Sequence, residues 1–357
     1  MALSFSKGAT KKVDQLLSID LGGRTTKAVN LQRKGDGFVL SRYAVLDAPI
    51  YERSLSAEVL AEHLKNVCQT LDTRTRTVSL AIGVNDSLVR HADLPPMPIH
   101  DMRQVLKNNS KSYLQQDFPG HLFDCCVMLS RAAAKPAEKS KTAATSSKQR
   151  VLVAGARKQL VDEMQTAIRD AGLVADHIVP GLIGPVNAFE MAMPEVFANG
   201  VVALVDIGFK NTSICLLQQG ELMLSRVLAM GGDKLSNGLA EALGISYAEA
   251  ESIKVGMPAE VQSHLETLVT PLGRELRASI DFFEHQHDAV VTQVFLSGGS
   301  TASPVILQTL QAELMLECRV WNPLSFLELA LPPQQAAEVE HVSSQLAVAV
   351  GAALGVF

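Results

Sequence analysis

The 357-residue chain is poor in the residues that mark several large functional classes. Its five cysteines are odd in number and form no C-x-x-C pair, which excludes a disulfide framework and a cysteine zinc site and fits a reducing compartment. It has one tryptophan, Trp321, and with 12 Phe and 4 Tyr too few aromatics for a base-stacking platform. Positive charge is not in excess: 32 Lys+Arg against 37 Asp+Glu leave a net charge of −5, so no global field draws nucleic acid. The longest weakly polar tract, LAVAVGAALGVF at 346–357, is 12 residues, short of the roughly 20 a membrane-spanning helix needs. The cationic start is not followed by the apolar stretch of a signal peptide. A soluble, cytoplasmic protein with no nucleic-acid partner is therefore expected.

What is present describes a folding chain of about two domains, since 47% hydrophobic and 19% charged residues lie far from disordered composition. The most informative feature is an internal echo. Residues 17–29 read LSIDLGGRTTKAV and residues 203–215 read ALVDIGFKNTSIC, an offset of 186 that matches Asp20 to Asp206, Gly22 to Gly208 and Thr26 to Thr212. In each copy an apolar run ends at Asp, Gly follows two residues later, and a second apolar run begins after a polar turn, which reads as strand, tight turn, strand. Two such hairpins half a chain apart predict two similar α/β domains facing each other across a cleft.

Between the hairpins the pattern predicts a helix over 56–71 and a strand near 78–84. The texture then changes: DLPPMP leads into an amphipathic helix with Met102, Leu106, Tyr113 and Leu114 on its apolar side, and a strand-like LFDCCVML follows. Residues 131–150 hold six basic residues, one acidic residue and no Val, Ile, Leu or aromatic, the composition of a solvated mobile loop. VLVAGARKQLVDEMQTAIRDAGL then reads as a strand and an amphipathic helix. We divide the sequence into a flexible tail over 1–13, a first domain over 14–198 with an inserted subdomain at about 78–178, and a second domain over 199–357.

An Asp at the end of a buried strand must meet water, a donor or a cation. Asp20 and Asp206, on facing hairpins, suit a magnesium ion, which keeps most of its waters and binds through one or two carboxylates plus nucleotide phosphates. In a single copy Asp-x-Gly is an ordinary strand-to-turn signal, and the duplication is what turns it into a candidate site. The turns Gly22-Gly23-Arg24-Thr25-Thr26 and Gly208-Phe209-Lys210-Asn211-Thr212 can aim N–H groups and hydroxyls at phosphate oxygens, with Lys27 adding positive charge. Gly231-Gly232, between an apolar strand and a helix, lets phosphate approach backbone donors, while Asp233 suits an N-cap. Ser246-Tyr247-Ala248-Glu249 is a capping box opening a helix with Glu251 and Lys254 on one side. Gly298-Gly299-Ser300 after VFLS offers bare backbone to a flat base. His285 and His287 lack a third metal ligand, and adjacent Cys125 and Cys126 read as strand packing.

Taken in order, the two hairpins, GGD, AE-x-x-K and SGGS resemble the nucleotide-contacting segments of the actin, heat-shock-chaperone and sugar-kinase ATPase superfamily. Within it the sequence is similar to the PilM family of actin-like proteins of type IV pilus assembly, itself related to FtsA, from Leu17 to Gly355. The most specific stretches are SIDLGGRTTKAVNL, the DLPPMP-to-QQDFP insertion, VDIGFKNTSICLLQQGEL, SRVLAMGGDKLSNGLAEALGISYAEAESIK and VFLSGGS. The resemblance implies an actin-like ATPase fold: two duplicated mixed-sheet α/β domains around a cleft for ATP and magnesium, with a small inserted subdomain in the first. It implies magnesium-linked waters on Asp20 and Asp206, and phosphates on Gly23, Thr25, Thr26, Lys27, Gly208, Thr212, Gly231 and Gly232. Ribose falls to Glu251 and Lys254, and adenine to Gly298, Gly299 and Ser300. Arg24 departs from the small residue usual in the family's first turn and either adds phosphate charge or crowds the turn. The implied partners are the short cytoplasmic peptide of a PilN-like inner-membrane protein and other components of the pilus assembly platform. The chain would then be peripheral to the membrane through its partner, and a homo-oligomer stays open.

A hydrolase also needs a group that orients the attacking water. Asn187 and Glu190, before the second hairpin, stand in a suggestive place but also fit a helix surface, so slow or no hydrolysis is expected. Three other readings remain. A small-molecule kinase of the same superfamily would need a carboxylate base facing a sugar pocket, and the sequence displays no clear one. A filament-forming relative of FtsA is the second, and the cytoplasmic part of a type II secretion platform protein, a family that continues into a membrane span, is the third.

Overall fold

The continuously buried apolar runs of Gln15–Leu21 (β1) and Thr25–Lys34 (β2) form the first hairpin, and Gly37–Asp47 (β3) extends it. The computed structural model describes residues 1, 3–5, 13–49, 56–128 and 148–357. After β3 come Ala57–Thr70 (α1), Thr77–Ile82 (β4), Ser87–Leu94 (β5), Ile99–Leu114 (α2), His121–Val127 (β6), Gln149–Arg157 (β7), Lys158–Asp170 (α3) and Val174–Pro180 (β8). Gly184–Ala192 (α4) and Pro194–Asn199 (α5) lead to Val201–Ile207 (β9), Thr212–Gln218 (β10) and Glu221–Leu228 (β11). The chain continues through Gly232–Leu243 (α6), Tyr247–Gly256 (α7), Gln262–His287 (α8), Gln293–Ser297 (β12), Pro304–Leu314 (α9) and Glu317–Val320 (β13). It ends in Glu328–Leu329 (β14), Pro333–Val342 (α10) and Ala347–Leu354 (α11).

The echo in the sequence is the trace of a duplicated sheet. In the first half the strands lie in the order β3-β2-β1-β4-β8, with the β1/β2 and β2/β3 pairs antiparallel and the β1/β4 and β4/β8 pairs parallel. The second half, β11-β10-β9-β12-β13, repeats the order and each relative direction. Both Asp residues therefore stand at the carboxyl end of the central strand, where open α/β sheets place their ligands.

One apolar core fills the space between the two sheets, joining Ile19 and Leu80 of the first to Leu204 and Phe295 of the second. Phe189 on α4 stacks there between Phe295 and Trp321, with ring centroids 4.8 and 5.2 Å away. A second core lies on the far face of the second sheet under α8 and α9. α4 and α11 cross so closely that a Cβ on Gly351 would fall 1.7 Å from the Gly184 carbonyl oxygen. The terminal apolar tract is thus a buried crossing helix, and no helix among the described residues is long and apolar enough to span a membrane.

Four sequence boundaries need correction. The inserted subdomain is narrower than 78–178: it is the sheet β5-β7-β6 with α2 packed on it, whereas β4 and β8 are buried parallel strands of the main sheet. The second domain does not run unbroken to 357, because β14 pairs with β3, Glu328 opposite Val39, and α11 packs on β1 and α4. The tail over 1–13 is not free where it is described: Leu3 and Phe5 are buried, and the Phe5 N–H donates to the Ile178 carbonyl at 2.8 Å on the edge strand β8. Of the loop expected at 131–150, residues up to 147 lie outside the described residues, and Gln149 and Arg150 already belong to β7.

Candidate functional site

The two turns meet. A Cβ on Gly23 in the first would lie 3.4 Å from Lys210 and 3.6 Å from the Phe209 ring in the second. Gly22 has no room for a side chain, since its Cβ would sit 2.5 Å from the Thr25 carbonyl oxygen and 2.7 Å from Lys27 Nζ. Lys27, paired across the ladder with Asp20, holds its ammonium 3.5 Å from Asp20 Oδ2. Burial raises the Asp20 carboxyl above its ordinary value, and Lys27 pulls it partly back. Burial also raises Asp206, opposed by a 2.9 Å hydrogen bond from Ser297 Oγ and by the Lys27 charge and reinforced by the negative charge of Asp20. One lysine thus serves two carboxylates, Asp20 buried and Asp206 half-buried, each of which disfavours the other's charge.

The second half adds a polar cluster beside these carboxylates. Lys254, buried on α7, donates to Glu251 Oε2 at 2.8 Å, to Ser236 Oγ at 2.7 Å and to the Gly232 carbonyl at 3.2 Å. Burial depresses Lys254, and the Glu251 carboxylate opposes that. At Glu251 itself burial works against the charge, but Lys254, Ser236 and Arg24 outweigh it and hold the carboxyl below its ordinary range. A Cβ on Gly232 would lie 2.6 Å from Ser300 Oγ, which brings the Gly298-Gly299-Ser300 segment against the start of α6. Gly298 takes a φ of +97°, and a side chain there would strike the Ile207 carbonyl oxygen at 2.4 Å. Asp20, Gly22, Gly23, Lys27, Asp206, Gly232, Glu251, Lys254, Gly298 and Ser300 are therefore neighbours as the sequence reading expects.

Other expected contacts are spoken for. The Thr26 hydroxyl lies 2.7 Å from His63 Nε2, and the Thr212 hydroxyl donates to the Met230 carbonyl at 2.7 Å, so neither points freely at phosphate. The Gly208 N–H donates to Asn211 and the Gly232 N–H to the Gly208 carbonyl, each at 2.9 Å. That last bond draws α6 onto the second turn, and it requires glycine at 231, where a Cβ would meet the Phe209 carbonyl oxygen at 2.4 Å. In the first turn, by contrast, no backbone partner among the described residues takes the N–H of Gly23 or Arg24. Thr25 opens β2 half-buried, and Gly299 stands exposed near Gln345.

Asn187 and Glu190 do not join the site. Asn187 is buried on α4, where it donates to the Met1 and Gly351 carbonyls at 3.1 Å each and accepts from the Met1 ammonium at 2.7 Å. Its amide ties the crossing helices together and is not available to orient water. Glu190 is exposed on the same helix and shares none of the site's hydrogen bonds or ion pairs. Two contributors escape the sequence reading, Ser236 and Ser297, and the ring of Phe209, expected only as part of the second turn, packs toward the first. Ser236 sits one helical turn after Gly232 and Ser297 directly before Gly298, signals visible only once those glycines are placed together.

This arrangement fits a magnesium nucleotide. No group of three or more His, Cys, Asp or Glu gathers to hold a metal among the described residues, so an ion would be held through water by Asp20 and Asp206 and through phosphate. The carboxylates that burial disfavours would gain a cation, and the open amides of the first turn with Lys27 supply donors for an anion. Glu251 and Lys254 offer an acceptor and a donor to hydroxyls, and Gly299, exposed after the buried Gly298, offers bare backbone to a ring.

Comparison with known proteins supports the fold. The family model described as type IV pilus assembly protein PilM matches residues 18–357. Over 97 residues the chain is 30% identical to the cell division protein FtsA of Bacillus subtilis (strain 168), a match covering 27% of this chain and only about a fifth of the length of that relative (21%). The solved PilM-PilN type IV pilus biogenesis complex contains a chain superposing with a TM-score of 0.80 at 23% identity, covering 97% of this chain and 100% of that one. MreB5 of Spiroplasma citri bound to AMPPNP superposes with a TM-score of 0.50 at 11% identity, covering 96% of each chain. The fold is the actin-like ATPase fold.

Proposed function

Because the chain belongs to the PilM family of type IV pilus assembly proteins, we propose that it is an ATP-binding scaffold that takes up the cytoplasmic peptide of a PilN-like inner-membrane protein, with slow or no hydrolysis. The observation that carries this reading is the facing pair of turns, with Gly23 against Phe209 and Lys27 3.5 Å from Asp20 and acting on the charge of Asp206. Magnesium ATP, when bound, would supply the cation that Asp20 and Asp206 lack and the anion that Lys27 and the first-turn amides suit. Lys254 and Glu251 would orient the ribose, and the Gly298 segment would take the base. Bound in this way the ligand touches both halves and stabilises their closed arrangement by mass action. The reading of slow hydrolysis is supported by Asn187, whose amide is committed to the helix crossing and is not free to orient a water.

The peptide would bind beside the inserted subdomain. A cleft of about 690 Å³ opens between α1, α3 and the inserted subdomain, lined by Ala57, Gly120, Arg157, Lys158, Asp162 and Thr166. Its lining carries both signs of charge, Arg157 and Lys158 beside Asp162 and Glu163, which suits a short polar segment. Through that partner the chain would reach the inner membrane. Fluorescence anisotropy of the labelled N-terminal peptide of the PilN-like partner, with and without magnesium ATP, tests the reading. Saturable binding lost in Thr166→Arg is expected. Absence of peptide binding, or robust phosphoryl transfer to any acceptor in a sugar panel, would overturn it.

A further inference from the structure

Arg24 reaches across the cleft from the first half to the second. Its guanidinium Nη1 lies 2.7 Å from Glu251 Oε1 on α7, and its Cζ stands 5.7 Å from the centroid of the Phe209 ring. The two oxygens of Glu251 therefore have different owners. Oε2 is held from within the second half by Lys254 and Ser236, while Oε1 is held by a residue of the opposite half. A ribose hydroxyl donating to Glu251 would find Oε2 already taken by two donors and would have to compete with a guanidinium at Oε1.

We propose that Arg24 is an interdomain clasp: in the free protein it holds the halves together by occupying Glu251, and it must leave that carboxylate before a ribose can reach it. This inference rests on the nucleotide reading of the site. Arg24 is a positioning residue here, because it acts through Glu251. The Arg24 side chain is 44% exposed, so the pair is solvent-screened and can be broken by a competitor for either partner. Phosphate is such a competitor, since a guanidinium forks onto phosphate as readily as onto carboxylate. A nucleotide with phosphates can thus offer Arg24 a new partner at the moment it takes Glu251, whereas a nucleoside offers nothing in return. The clasp discriminates against ligands without phosphate.

Adenosine and magnesium ATP, titrated calorimetrically into the full chain, separate these effects. Arg24→Ser is expected to tighten adenosine binding roughly two- to five-fold, the range of a screened ion pair, and not to tighten ATP binding. Arg24→Lys, which keeps the charge, should stay close to the original protein. In a Glu251→Gln background the gain from Arg24→Ser should vanish. Unchanged or weaker adenosine binding in Arg24→Ser would overturn the clasp while leaving the nucleotide site standing. If no variant binds ATP or adenosine, the nucleotide reading fails, and hydrogen exchange without ligand still decides the clasp. Faster exchange of 22–26 and 247–256 in Arg24→Ser supports it, and unchanged exchange overturns it.

Discussion

Lys27 and Asp20 face each other directly across the first hairpin, and the ammonium of one lies 3.5 Å from the carboxylate of the other. The same ammonium also lowers Asp206 on the opposite half, so a single charge is shared by the two acidic groups of the cleft. Lys27→Ala is expected to weaken magnesium ATP binding by ten- to a hundred-fold, the loss of a charge-assisted hydrogen bond of about 1.5–3 kcal/mol. Unchanged affinity in a calorimetric titration would remove Lys27 from the site.

The Thr26 hydroxyl and His63 form a buried pair at 2.7 Å that joins the strand leaving the first turn to α1. Removing one partner strands the other, so His63→Ala should destabilise the protein by about 1–3 kcal/mol in urea unfolding. The double variant Thr26→Val, His63→Leu, which replaces both polar groups, should recover much of that loss. If it is as unstable as the sum of the single variants, the two residues are not coupled.

The crossing of α4 and α11 depends on two glycines in contact. Gly351→Ala would force a methyl group into the Gly184 carbonyl and into the helix pair that links the halves. A loss of at least about 1–3 kcal/mol is expected, the range for overpacking a close-packed core. A thermal midpoint equal to that of the parent would show that the helices are less tightly joined.

Acidification should loosen the junction of the inserted subdomain with the second half. His91 on β5 hydrogen-bonds the Leu222 backbone of β11, its Nε2 is buried without a partner, and neighbouring Ser225 donates to the Val89 carbonyl at 3.4 Å. Burial, aided by the charges of Arg150 and His287 and opposed by Asp93, depresses the His91 ring to about 4. A depressed value means that the fold holds the neutral ring. Its stabilising contribution is full above about pH 6.5, the unfolded value, and is lost as pH falls toward 4, by about 3 kcal/mol in all. Urea midpoints of the parent and His91→Leu between pH 7 and 4 check this: the parent should lose more stability, and parallel slopes would contradict it.

The parts of the fold legible in the sequence are those whose signals are local. Asp20-Leu21-Gly22 and Asp206-Ile207-Gly208 each announce a strand end and a turn within a few residues, and their repetition identifies the duplicated sheet. Gly231 and Gly298 show locally as members of Gly-Gly pairs after a strand, although the backbone that excludes a side chain there, at Phe209 and Ile207, comes from elsewhere in the chain. What escaped depends on distant chain. Asn187 reads as a surface or water-orienting residue until α11 returns to meet it from 164 residues away. The amide of Gly232 looks free for phosphate until α6 docks on the second turn and it bonds the Gly208 carbonyl. Arg24, an outlier in its motif, acquires a role only when α7 is placed opposite it.

The most direct test of the account is a calorimetric titration of magnesium ATP into the purified protein, with Asp206→Asn as the control that keeps an acceptor for Ser297 but removes the charge. The account predicts saturable binding by the parent protein that the variant loses. Heat of dilution alone from the parent, or equal binding by both proteins, would contradict a magnesium nucleotide held between Asp20 and Asp206.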